Sequence, residues 1–403
     1  MSAADVLLDP KWFVERDPHA AFHAMRRECP IQRSMRADGH PFWVLVRHAD
    51  AARVVKDPET FTSRHGVNLN EVRSDGPDPA ADLLLEMSGP ESHARLRPPL
   101  AGAHTRSVMS RLRPQLLRQA AGLIDAAVHR GRFDAAVDVS APLAAFTSFE
   151  LLGVPEDGWS VLIAGSRRAE SMDPSRPVRP PFTTLAEEAN HDLLRYFMRL
   201  VNTRRDDLKE GSIRTFIDVG ADGRPWEPRE VVLNALGLMD AGYGTLRHAT
   251  TGGMLALLQH PDQHERVRAE PDLLPSLCDE VVRWVSPVMQ LARVATRPVR
   301  LRGADVAAGD IVTVWLISAN RDEEVFEEPG RFDAGRRPNR HLGYSVGPHS
   351  CLAGGLARMH LETVLGEFVR RVPPGARVGP AVRVVSNVIS GIDGLPVITR
   401  SGP

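Results

Sequence analysis

One long run between two prolines constrains this chain more than any other stretch. From Pro228 it reads PREVVLNALGLMDAGYGTLRHATTGGMLALLQH, and Pro261 follows. Pro228 suits the first turn of a helix, where no N–H is needed, and Pro261 closes the run. Apolar residues cover most of the circumference between Val231 and Met239, so the expected helix passes through a core rather than along a surface. Gly242 and Gly244 lie inside it. Each loses about 1 kcal/mol relative to alanine, so their presence asks for a reason.

Shorter elements are expected around this helix. Residues 18–29 read as a helix, 41–48 as a strand and 49–56 as a second helix. Residues 64–90 are polar and rich in Gly and Pro, long for a simple connector. Helical patterns alternate with short breaks over 107–170, whereas 171–185 holds too many prolines to be one helix. Residues 286–303 read as extended, and 309–326 as a strand followed by a helix beginning near Ala319. VVSNVISGIDGLPVITR reads as a hairpin with its tip around Val388 and Ile389. The 32 prolines are spread along 403 residues with no long linker. A single domain over residues 1–403 is therefore expected, mainly α with a small β region.

Charge and cysteine usage exclude several classes. Lys plus Arg number 50 against 51 Asp plus Glu, so nothing points to nucleic acid or an anionic membrane. Cys29, Cys278 and Cys351 form no CxxC pair, which argues against a disulfide framework or a Cys-rich zinc site and fits a reducing cytoplasm. No stretch approaches the ~20 apolar residues of a membrane helix, and the first residues lack the apolar core of a signal peptide.

The stretch HLGYSVGPHSCLAGGLARMHLETVLGEFVRR, residues 341–371, carries chemistry. A Gly/Pro/Ser-rich loop delivers Cys351, and a helix-forming run begins directly after it. Unpaired amides and the dipole at a helix N-terminus favour a thiolate, the form that binds metals. Gly347, Gly354 and Gly355 remove side chains where something flat could approach. A lone cysteine is otherwise an inert buried thiol.

Tyr344-Ser345-Val346-Gly347-Pro348-His349-Ser350-Cys351-Leu352-Ala353 resembles the haem-ligand loop of the cytochrome P-450 superfamily, FGxGxHxCLG. Tyr344 stands for the usual Phe, Ser345 for a Gly, and Ala353 for the Gly after Cys-Leu. Four further segments match in order. GPESHARLR resembles the family's H-x-x-x-R helix, whose two side chains, here His93 and Arg97, bind a haem propionate; alone they would read as a solvated basic face. Ala241-Gly242-Tyr243-Gly244-Thr245 resembles the pattern A/G-G-x-D/E-T, with Gly244 where the acid belongs. Glu280-x-x-Arg283 resembles the buried pair beneath the haem, and Phe326-x-x-Pro329-x-x-Phe332 the FxxPxxF segment.

The resemblance implies the P-450 fold, a b-type haem held by the Cys351 thiolate, and oxidation of a small organic substrate with dioxygen. His93, Arg97, Arg293 and His341 would neutralise and orient the propionates, and His349 would also contact the haem. Ala241, Gly242, Tyr344, Gly347 and Gly354 would line the haem, and Val288, Met289, Leu291, Val388 and Ile389 the substrate. Electrons would come from a separate ferredoxin or flavodoxin with its reductase, docking near the Cys351 loop through Arg95, Arg106 or Arg358. The protein would be a cytoplasmic monomer. Thr245 is expected to hydrogen-bond back to the Ala241 carbonyl. Asp240, one turn before Gly244, either replaces the missing proton-relay acid, binds a polar substrate atom, or is satisfied by a neighbouring Arg. Tailoring of a natural product is the expected role. The rival readings are a haem-thiolate protein that binds a ligand or gas without catalysis, and a haem-free scaffold.

Overall fold

The structure is a computed structural model, and it describes residues 4–203, 208–218 and 225–399. Its central element is the helix Pro228–Gln259, 32 residues long. Glu227 and Glu230 close its start as a reciprocal capping box, with Pro228 at the first position. Four helices pack on it: Ala141–Leu152, Leu185–Val201, Leu274–Val285 and Gly354–Arg371. Two glycines set how closely one of them approaches. A Cβ on Gly252 would lie 2.6 Å from Val285, and one on Gly253 would lie 3.0 Å from Val281.

Most of the β structure is one five-stranded sheet. Its strands run Ile31–Met35, Pro41–Leu45, Ile311–Trp315, Gln290–Ala295 and Phe61–Thr62 in spatial order. Pro41–Leu45 and Ile311–Trp315 pair in parallel, and the other neighbours are antiparallel. Near the C-terminus, Pro396–Ile398 pairs with Arg132–Asp134, so the last strands are tied to the start of the helical half. The architecture is therefore mainly α with small β sheets. Ala135–Leu152 is long and apolar enough to cross a membrane, but 72% of it is buried inside the fold.

One expected boundary moves. The helix expected to begin near Ala319 is a single turn, Leu316–Ala319, which ends there. Asn320 terminates it: its carbonyl accepts from Arg283 at 3.0 Å, its amide donates to Ser286 Oγ at 2.9 Å, and its Oδ1 accepts from Leu342 N–H at 2.7 Å. Three tertiary bonds at one residue outweigh continuing a local helix.

Candidate functional site

The cysteine loop is shaped by backbone constraints. Gly347 has φ +81°, and a Cβ there would stand 2.9 Å from the Lys56 Cα, so no side chain fits. Ser345 also adopts positive φ, 54°, at the place where the family pattern has glycine. The Cys351 N–H donates to the Tyr344 carbonyl at 2.8 Å. The following helix begins at Gly354, not directly after Cys351, because Leu352 and Ala353 form a turn. Cys351 therefore sits one turn ahead of the helix. Burial pushes its thiol up, while the Ala353 amide, Arg97 and Arg358 pull the other way. The pull towards a thiolate expected from the helix start is thus opposed by desolvation.

Beside the loop lies a group of positive side chains with few anionic partners. His93 and Arg97 sit one turn apart on the helix Pro90–Gly102. The His93 ring is 4.4 Å from that of His349, and its buried Nε2 has no partner among the described residues. Arg293 donates to the Ala292 carbonyl at 2.6 Å, and burial pulls its guanidinium down to about 10. Burial, then Arg293, His93 and Arg97, push His349 down to about 3. Two guanidiniums, Arg97 and Arg293, with the neutral imidazoles of His93 and His349 beside them as hydrogen-bonding groups, fit a dianionic ligand. His341 is not part of this group. Its Nε2 lies 3.6 Å from Asp279, and its Nδ1 accepts from Gly343 N–H.

The long helix presents a different chemistry. Thr245 Oγ1 donates to the Ala241 carbonyl at 2.6 Å, as expected. A Cβ on Gly242 would stand 3.2 Å from Ser148 Oγ, so this glycine lets Ala141–Leu152 pack closely. Asp240 has no arginine partner among the described residues. Burial, then Glu170, Glu86 and Glu71, push its carboxyl up to about 8. Glu86 is likewise raised to about 7 by burial and Glu71, against the pull of Arg293.

On the other side of the cysteine loop the Glu280–Arg283 pair is fully buried, with both contacts at 2.7 Å. Arg283 also donates to the carbonyls of Asn320, Pro329 and Arg331. Glu280 accepts from Arg336, Asn339 and the Asp333 amide. The pair thus locks the segment 320–339 that leads into the loop. The residues expected to line a pocket also converge. Val288 bridges Ile389, and Met289 N–H donates to the Val388 carbonyl at 2.7 Å. Leu291 lies on the neighbouring strand opposite Val314.

Comparison with known proteins decides the family. The cytochrome P-450 family model matches residues 161–372. NovI of Streptomyces niveus, a cytochrome P-450, is 32% identical over 97% of this chain and 95% of its own. The chain belongs to the cytochrome P-450 family. A methyl-branched lipid omega-hydroxylase of Mycobacterium bovis is 30% identical over 96% of this chain and 92% of its own. The solved P-450 OxyD, involved in the biosynthesis of vancomycin-type antibiotics, superposes with a TM-score of 0.82 at 27% identity, covering 97% of this chain and 98% of that one. This P-450 is therefore an oxidoreductase of the monooxygenase type that uses haem b.

Sequence reading missed one cluster in this P-450. Glu170, Arg247, His248 and Asp393 form a buried network against the long helix. A signal existed: Arg and His side by side within an apolar core run must find partners.

Proposed function

We propose that Cys351 would hold the haem iron through its sulfur, that His93, Arg97, Arg293 and His349 would receive the propionates, and that the pocket oxidises a small natural product bearing a cationic group. The Arg and His cluster beside the cysteine loop carries the first part, since Arg293 has no carboxylate bonded to it among the described residues. Bound there, thiolate-ligated haem activates dioxygen towards C–H bonds. His93, Arg97 and Arg293 orient the group by charge-assisted hydrogen bonds. Val288, Met289 and Ile389 exclude water from the substrate side. Thr245 holds its hydroxyl on the helix for proton transfer.

Asp240 and Glu86 support a cationic substrate, because a buried carboxylate gains most from an opposite charge. The involvement of OxyD in antibiotic biosynthesis supports natural-product tailoring. An acidic ferredoxin or flavodoxin is the proposed electron donor. Arg106, on the exposed start of its helix, serves it better than Arg95, committed to Glu230 at 2.6 Å, and Arg358, half exposed but paired with Asp279 at 3.1 Å, comes between them. Free Cys29, Cys278 and Cys351 accord with a cytoplasmic setting.

The first experiment is the reduced, carbon-monoxide-bound absorption spectrum of the haem-loaded protein. A strongly red-shifted Soret band is expected from an ionised Cys351; a band typical of imidazole or neutral thiol overturns the assignment. The second compares dodecyltrimethylammonium, dodecanol and dodecanoate by the spin-state shift each produces. The ammonium is expected to bind most tightly and to gain about tenfold between pH 6 and pH 9. The sign follows from the carboxyls at about 7 and about 8, which become anionic over that range with Glu71, Glu170 and Arg293 facing them. Asp240→Asn is expected to remove most of that gain. Equal binding of the three head groups at all pH values sinks the cationic-substrate reading.

A further inference from the structure

Gly244 occupies the place of an acid, and the structure shows what stands in the space that an acid there would fill. A Cβ on Gly244 would lie 1.9 Å from Glu170 Oε1 and 3.8 Å from Ser166 Oγ. Glu170 comes from the end of another helix, Trp159–Ala169, and its side chain is 7% exposed. Its Oε2 accepts from Arg247 Nη2 at 2.5 Å and from His248 Nε2 at 3.1 Å. His248 Nδ1 accepts the Ile392 N–H at 3.1 Å, and its Nε2 lies 3.1 Å from Glu170 Oε2 and 2.9 Å from Arg247 Nη2. Arg247 also donates to Asp393 Oδ1 at 2.7 Å, and Asp393 is 22% exposed.

We propose that Glu170 supplies, from a different element, the proton-handling carboxylate that the long helix lacks at Gly244. Its Oε1 has no hydrogen bond to any described residue and lies against the helix at Gly244, the residue before Thr245. Against burial, His248 and Arg247 hold the Glu170 carboxyl below its ordinary range, so it takes up a proton only on turning away from them, while Asp393 keeps the guanidinium neutralised. Asp393 connects this site to the surface. Insertion of one oxygen atom consumes one dioxygen, two electrons from the external donor and two protons, and yields one water. Each proton passes from water near Asp393 to Glu170, then through water to the Thr245 hydroxyl, and Glu170 returns to its ionised state. No group in the relay is changed overall. Asp240 is left for the substrate, one helical turn away.

The test uses haem-loaded protein, a surrogate ferredoxin and reductase with NADH, and dodecyltrimethylammonium as the probe. Glu170→Gln keeps the shape and the contact to Arg247 but carries no proton. It is expected to raise the fraction of NADH electrons released as hydrogen peroxide several-fold and to enlarge the solvent deuterium effect on NADH consumption, with the carbon-monoxide band unchanged. A purely structural Glu170 would not move the isotope effect. Equal peroxide fractions and isotope effects in variant and parent overturn the proposal, including the case of a parent that is itself wholly uncoupled.

A second arm reads thermal unfolding. Gly244→Asp alone is expected to lower the midpoint by collision with Glu170, and Glu170→Ala alone to lower it by leaving Arg247 Nη2 and His248 Nε2 without their carboxylate partner. The double variant Gly244→Asp/Glu170→Ala is expected to recover both midpoint and coupling, because one carboxylate again meets Arg247. A double variant no better than the worse single one refutes the shared position. The inference rests on the haem placement proposed above. Failure of that placement appears in the parent's carbon-monoxide spectrum, whereas failure of the relay appears only in the variants.

Discussion

Glu280→Ala is expected to leave little folded protein. Among the described residues the substitution removes the only carboxylate bonded to Arg283, whose side chain is 0% exposed, and it also strips Arg336 of its carboxylate acceptor at 3.1 Å. Arg283 would keep the three backbone carbonyls of Asn320, Pro329 and Arg331, which orient it without neutralising it. Breaking a buried pair by removing one partner costs about 3–5 kcal/mol, a large share of the ~5–15 kcal/mol that holds a domain together. Glu280→Gln retains acceptor and donor atoms and is expected to cost less. Urea unfolding midpoints of the two variants check the order. An unchanged midpoint for Glu280→Ala would mean that the backbone carbonyls alone satisfy the guanidinium.

Cys351→Ser is expected to abolish the red-shifted carbon-monoxide band and donor-driven oxidation together. An alcohol has no accessible anion near neutral pH, so it cannot replace the electron-rich sulfur that favours O–O cleavage. The control is Cys278→Ala. Cys278 is 1% exposed within the helix Leu274–Val285, and burial raises its thiol well above the ordinary value, so it behaves as a small hydrophobe. Its loss is expected to lower stability modestly and leave the spectrum intact. Retention of the band in Cys351→Ser would transfer the ligand role to another residue.

Much of this was legible because it is local. The long helix announces itself by circumference and by Pro228 and Pro261, and the structure places it at Pro228–Gln259. The Glu280–Arg283 pair needs one helical turn, and the Cys351 loop is a contiguous signature. What stayed hidden depends on distant partners. Glu170 lies 77 residues from Arg247, and Asp393 lies 146 from it, so no spacing rule joins them. The helix expected near Ala319 ended there because Asn320 is drawn into bonds with Arg283, Ser286 and Leu342. His341 was expected among the propionate partners. Its ring turns instead to Asp279, a choice that depends on how the helix Leu274–Val285 meets the loop.

Residues 388–395 touch several earlier segments at once. Ser390 bonds the Pro287 carbonyl, Ile392 the His248 ring, and Leu395 both the Asp134 carboxylate and the Ala135 amide. These residues leave the ribosome after every segment they close over. Until then Arg247 lacks Asp393, and the Val288 side of the interior has no cover. Closure of the Val288 side and the second partner of Arg247 thus both depend on one short stretch of chain.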